Sequence, residues 1–150
     1  MDVRARLESL GLTLPPVPKP VAAYVPAVRV GDLVFVSGQL PFHEGKLVAT
    51  GLVPTAVSVE EAYQACRVAV LNALAAVAMV ADLDQVSQVV RVGGFVAAAS
   101  DFQDHPKVVN GASDLLREIW QQAGQHARAA VGVSSLPLGA SVEIELVVRL

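Results

Sequence analysis

The chain predicts an α+β fold in which two long helices cover one face of a mixed β-sheet. Three observations predict it. Period-two stretches such as Leu33–Ser37 and Val142–Arg149 are interspersed with two stretches carrying the 3.6-residue period of a helix. Their order, β-β-α-β-α-β-β, sets the helices between strands rather than in a bundle. The 150 residues are 53% apolar and only 17% charged, which excludes disorder and suits one tightly packed domain.

Each element has its own signal. Residues 3–10 form a short amphipathic helix stopped by Gly11. Leu14 to Pro20 is extended, because its prolines fix φ and donate no hydrogen bond. Residues 1–20 are therefore an arm, and 21–150 a single domain. Tyr24 to Val30 and Leu33 to Ser37 are strands joined at Gly31-Asp32. Ser37-Gly38-Gln39-Leu40-Pro41 ends the second, and a short extra strand fits near 46–49. Ser58-Val59-Glu60-Glu61 has capping-box spacing and opens a helix reaching about Val80. Its polar stripe is narrow, so most of it is buried. Val86 to Val96 is a strand, with Gly93-Gly94 marking a bulge. Asp104-His105-Pro106-Lys107 starts the second long helix, which Gly124 ends. Ala127–Val133 and Val142–Arg149 close the chain as strands.

Two helices leave one sheet face uncovered, yet the strands are apolar or small on both sides. A second copy of the chain is the simplest cover. Arg128, Glu143 and Glu145 are expected together on that open face, near a subunit interface.

The composition also excludes functions. Net charge is −3 and there is no Lys/Arg run, which argues against nucleic acid. One cysteine, Cys66, allows no internal disulfide, and mid-helix it reads as inert packing. His43, His105 and His126 lack metal-ligand spacing. His126 reads as a surface residue at a strand entrance. The N-terminus has no signal-peptide apolar core, and the run Ala73 to Ala81 is too short to span a bilayer. The cytoplasm is the expected compartment.

Arg128 stands on its strand between alanines, with Ala130 and Gly132 on the same side, so there is room before it. Two roles fit. It anchors the carboxylate of a small ligand, or it pairs with Glu143 or Glu145. Either glutamate can hold a water or act as a base if partly buried; Glu145 reads as the structural one.

The residues Ala23-Tyr24-Val25, Val36-Ser37-Gly38-Gln39-Leu40-Pro41, Val109-Asn110, Ala127-Arg128-Ala129-Ala130-Val131, Leu136-Pro137 and Val142-Glu143-Ile144-Glu145 occur in an order that resembles the Rid (YjgF-like) family over about residues 20–150. Its members are imine/enamine deaminases, formerly called L-PSP endoribonucleases. The resemblance implies a chorismate-mutase-like fold and a homotrimer whose sheets form a central barrel, with ligand clefts between subunits. It implies that Arg128 binds the carboxylate of a 2-imino acid and that Glu143 positions the hydrolytic water. It also implies that Tyr24, Ser37, Gly38 and Asn110 line the cleft, where the Ala130 amide makes a second carboxylate contact. The products would be a 2-keto acid and ammonia, with no metal, nucleotide or flavin required. The alternatives are a non-catalytic small-carboxylate binder, an RNase disfavoured by the charge, and a mutase, for which the extra cations are missing. The chain departs from the family pattern at His126, Ala130 and Gly132, where proline, cysteine and an acidic residue are common.

Overall fold

The computed structural model describes residues 1–17, 19 and 23–150. Its elements are α1 (Val3–Ser9), β1 (Ala27–Val30), β2 (Leu33–Gln39), β3 (Phe42–His43), β4 (Lys46–Leu47), α2 (Val59–Val77), β5 (Gln88–Ala97), α3 (His105–Trp120), β6 (Ala127–Val133) and β7 (Val142–Arg149). The proline-rich stretch falls partly outside the described residues. Val3 and Leu7 of α1 are fully buried and join the main core.

Five strands form one sheet in the order β1-β2-β7-β5-β6, and β3 and β4 pair separately. Only β5 and β6 run parallel. Ser58 caps α2 by accepting from Glu61 N (3.1 Å), while Glu61 returns the bond to Ser58 N (2.8 Å). The α2 core face is built of small residues, among them Ala62, Ala65, Ala69 and Ala73. Small residues let α3 approach closely: a Cβ at Gly111 would run into the Tyr63 carbonyl oxygen. Both helices lie on one side of the sheet, over Val34, Val36, Val92, Val96, Ile144, Leu146 and Val148, all buried.

The bulge is not at Gly93-Gly94, which pair regularly with β6 and β7. Those glycines admit close neighbours instead. A Cβ at Gly93 would lie 2.5 Å from Glu145 Cγ, and one at Gly94 2.5 Å from Val109 Cγ1. β5 shifts register between Val89 and Arg91. β2 shifts between Val36, which faces Leu146, and Gln39, which faces Ile144. Ser37 and Gly38 together therefore oppose Glu145 alone, the signature of a bulge.

A second expectation is also overturned. Arg128 does not share a face with Glu143 and Glu145. Arg128 registers with Val92 and Gly132 with Val96, on the helix side. Glu145 registers with Gly93 and Glu143 with Phe95, on the open side. Alternation within each strand is as expected. The phase between β6 and β7 is set by β5, which lies between them.

Candidate active site

Two groups of side chains result, one on each face of the sheet. The first lies where β6 meets α3. Arg128 Nη1 donates to Asn110 Oδ1 at 2.9 Å and to Ser113 Oγ at 3.0 Å. Ser113 Oγ lies 2.9 Å from His126 Nε2, and His126 Nδ1 lies 2.7 Å from the Gly124 carbonyl oxygen. No carboxylate of the described residues lies within ion-pair distance of Arg128. Both Nη1 hydrogens are thus spoken for, and no described residue engages the planar Nε/Nη2 fork.

β6 is an edge strand, which adds a second donor. The Val133 carbonyl accepts from Ala98 N at 3.1 Å, so Val133 turns its polar groups toward the β5 side. Alternation then turns the amides of Arg128, Ala130 and Gly132 to the open edge. Gly132 has a counterpart on α3: a Cβ there would strike His105 Nε2, whose ring packs edge-on against Phe102 with centroids 5.1 Å apart.

The second group surrounds the β2 bulge. Ser37 Oγ donates to the Val25 carbonyl at 2.7 Å and Ser37 N to the Pro26 carbonyl at 2.9 Å, tethering the segment that carries the exposed Tyr24. Buried Asn72 of α2 fixes the far end, donating to the carbonyls of Leu40 (3.1 Å) and Phe42 (2.9 Å). The Glu143 carboxylate lies over Gly38, where any side chain would collide with it. Burial, then the charge of Glu145, raises the Glu143 pKa above the usual carboxylate value. Around these groups the open face is apolar: Val28, Val30, Phe35 and Val131 are 44–60% exposed.

Within one chain, then, Ser37, Gly38 and Glu143 come together next to the segment that carries Tyr24, and Asn110, Arg128 and Ala130 form the other set. The sheet separates the two sets. Sequence reasoning missed Ser113; its spacing of three from Asn110, on one helix side, was the available signal. Cys66 is buried, and desolvation raises its pKa far from thiolate chemistry. A depression of about 670 Å³ on the solvent side of α2 and α3 lies away from Arg128. Two of its lining carboxylates are already engaged, Asp114 by Tyr63 and Glu118 by Arg67 of α2. Among the described residues no cluster of His, Cys, Asp and Glu could hold a metal, and no helix is long and apolar enough to cross a membrane.

This fold and motif set define a family. A profile described as "YjgF/chorismate_mutase-like, putative endoribonuclease" matches residues 4–150, and the chain belongs to that family. The match takes in most of α1 as well as the domain that follows. Over 150 residues the chain is 39% identical to protein TCP17 of Trypanosoma cruzi, covering 99% of this chain and 94% of that one. It is 34% identical to a 2-iminobutanoate/2-iminopropanoate deaminase of Dermatophagoides farinae, covering 91% and 93%. Among solved structures it resembles Atu1372 of Agrobacterium tumefaciens, a protein of unknown function, with a TM-score of 0.89 and 43% identity, covering 99% and 91%.

Proposed function

We propose that this protein hydrolyses reactive 2-imino or enamino acids to 2-keto acids and ammonia, in clefts between the subunits of a homotrimer. The observation that carries this reading is the unengaged fork of Arg128. A partly buried guanidinium held by two neutral groups, with no carboxylate partner, has its charge and its bidentate geometry available to a ligand carboxylate. The Ala130 amide at the strand edge supplies a further donor.

The chemistry needs few groups. An imine next to a carboxylate is already electrophilic at carbon. Fixing the carboxylate on Arg128 orients that carbon, and a water held by Glu143 adds to it. A carboxyl with a raised pKa is suited to passing that proton to the departing nitrogen. The C–O bond forms, the C–N bond breaks, and ammonia leaves. Arg128 and Glu143 on opposite faces of one sheet point to a cleft that takes each from a different copy. The apolar open face supplies the surface that such copies bury.

The test is keto-acid release from an imino acid generated in situ. Arg128→Ala is expected to lower the rate about 100-fold, the effect of losing roughly 3 kcal/mol of charged hydrogen bonding. Equal rates for both proteins would refute the reading. If both are inactive yet a keto acid raises the Tm in an Arg128-dependent way, the protein is a carboxylate binder instead.

A further inference from the structure

The hydrogens around Arg128 can be counted. Ser113 Oγ accepts one from Arg128 Nη1, and arginine has no acceptor to offer in return. The Gly124 carbonyl can only accept, so His126 Nδ1 carries a proton and donates to it. In the neutral imidazole Nε2 is then the bare nitrogen, and it accepts the Ser113 hydroxyl hydrogen. Donors and acceptors along the series are then matched. Burial lowers the His126 pKa, opposed by the Gly124 hydrogen bond and aided by the charge of Arg128; the net shift favours the same neutral form.

The series joins three places in the chain: the turn after α3 at Gly124, the middle of α3 at Ser113, and the start of β6 at Arg128. Arginine has many rotamers, and an unbraced one must be ordered by the ligand. We propose that Ser113 and His126 are positioning residues that hold Arg128 through this fixed-tautomer series, aiming its Nε/Nη2 fork before a carboxylate arrives. The proposal rests on the reading of Arg128 as the carboxylate anchor.

The experiment uses the purified oligomer with pyruvate as the probe, alongside imino-acid turnover. Arg128→Ala should abolish pyruvate binding. Ser113→Ala should raise both the pyruvate Kd and the substrate KM about tenfold, with kcat falling less than about threefold, because a carboxylate anchor grips ground and transition states alike. Ser113→Thr, which keeps the hydroxyl, should recover most of that loss. In ¹⁵N spectra His126 should show a protonated Nδ1 and a bare Nε2 in the wild type; in Ser113→Ala the Nε2 signal should shift as its hydroxyl donor is lost, while Nδ1, held by Gly124, stays protonated. Pyruvate binding that needs Arg128 but is unchanged in Ser113→Ala would overturn the positioning role and leave the anchor standing. Binding that is indifferent to Arg128→Ala would overturn the anchor, and the positioning role with it.

Discussion

The carboxylate of Glu143 occupies the space in which any residue but glycine at position 38 would place its Cβ. β2 bulges there, with Ser37 and Gly38 together opposite Glu145. Gly38→Ala should therefore displace the Glu143 carboxylate, to which the proposed function gives the hydrolytic water, more than it harms the fold, since the colliding atoms end a flexible side chain. Activity is expected to fall at least tenfold, with a stability loss of about 1 kcal/mol, within the lower range for overpacking. Keto-acid release and urea unfolding on one preparation check both.

Glu143 should also be a group the fold tolerates at a cost. Its pKa in the folded chain is raised above the unfolded value, by burial first and Glu145 second. Above the unfolded value the ionised form is the disfavoured one, so stability is lost as pH rises through that range; below it both states are protonated and nothing is lost. Glu143→Gln is accordingly expected to raise the Tm at pH 7 and to leave it unchanged near pH 3. It should lower deaminase activity at every pH.

The ion pair of Arg67 and Glu118 gives the opposite sign. Its two hydrogen bonds, 3.0 and 2.8 Å, join α2 to α3. Hydrogen bonding from Arg67 lowers the Glu118 pKa against a smaller burial effect. The stabilisation is present above the unfolded carboxyl value and is lost as pH falls through the folded one. Glu118→Gln should cost about 1 kcal/mol at pH 7, the upper end for a partly exposed pair, and almost nothing near pH 2. Thermal melts across that range check it.

Gly111 is a different case from Gly38, because the atom in its way is backbone. A Cβ would meet the Tyr63 carbonyl oxygen of α2. Gly111→Ala must push the helices apart and should cost about 2–3 kcal/mol. The denaturant midpoint should fall while the slope is preserved.

Much of this molecule can be read from its sequence, and what cannot has physical causes. The Ser58–Glu61 cap is written in local spacing and is present as expected. So is the alternation that sets Arg128, Ala130 and Gly132 apart from Ala129 and Val131. Local pattern carries no phase between strands that are not neighbours, so Arg128 and Glu143 could not be assigned to opposite faces beforehand. Gly93 and Gly94 imitate a bulge because the reasons for them, Glu145 and Val109, come from elsewhere in the chain. Ser113 is one polar helix residue among several in the sequence, and only the approach of Arg128 and His126 gives its hydroxyl a distinct place.

Complementation between two inactive variants tests the central claim most directly. Arg128→Ala and Glu143→Gln each spoil one half of the cleft. If one copy supplies Arg128 and its neighbour Glu143, co-expressing the two variants regenerates intact clefts in about a quarter of positions under random assembly. Imino-acid hydrolysis should then return to roughly that fraction of the wild-type rate. A co-expressed mixture that forms mixed oligomers yet stays as inactive as either parent would contradict the account.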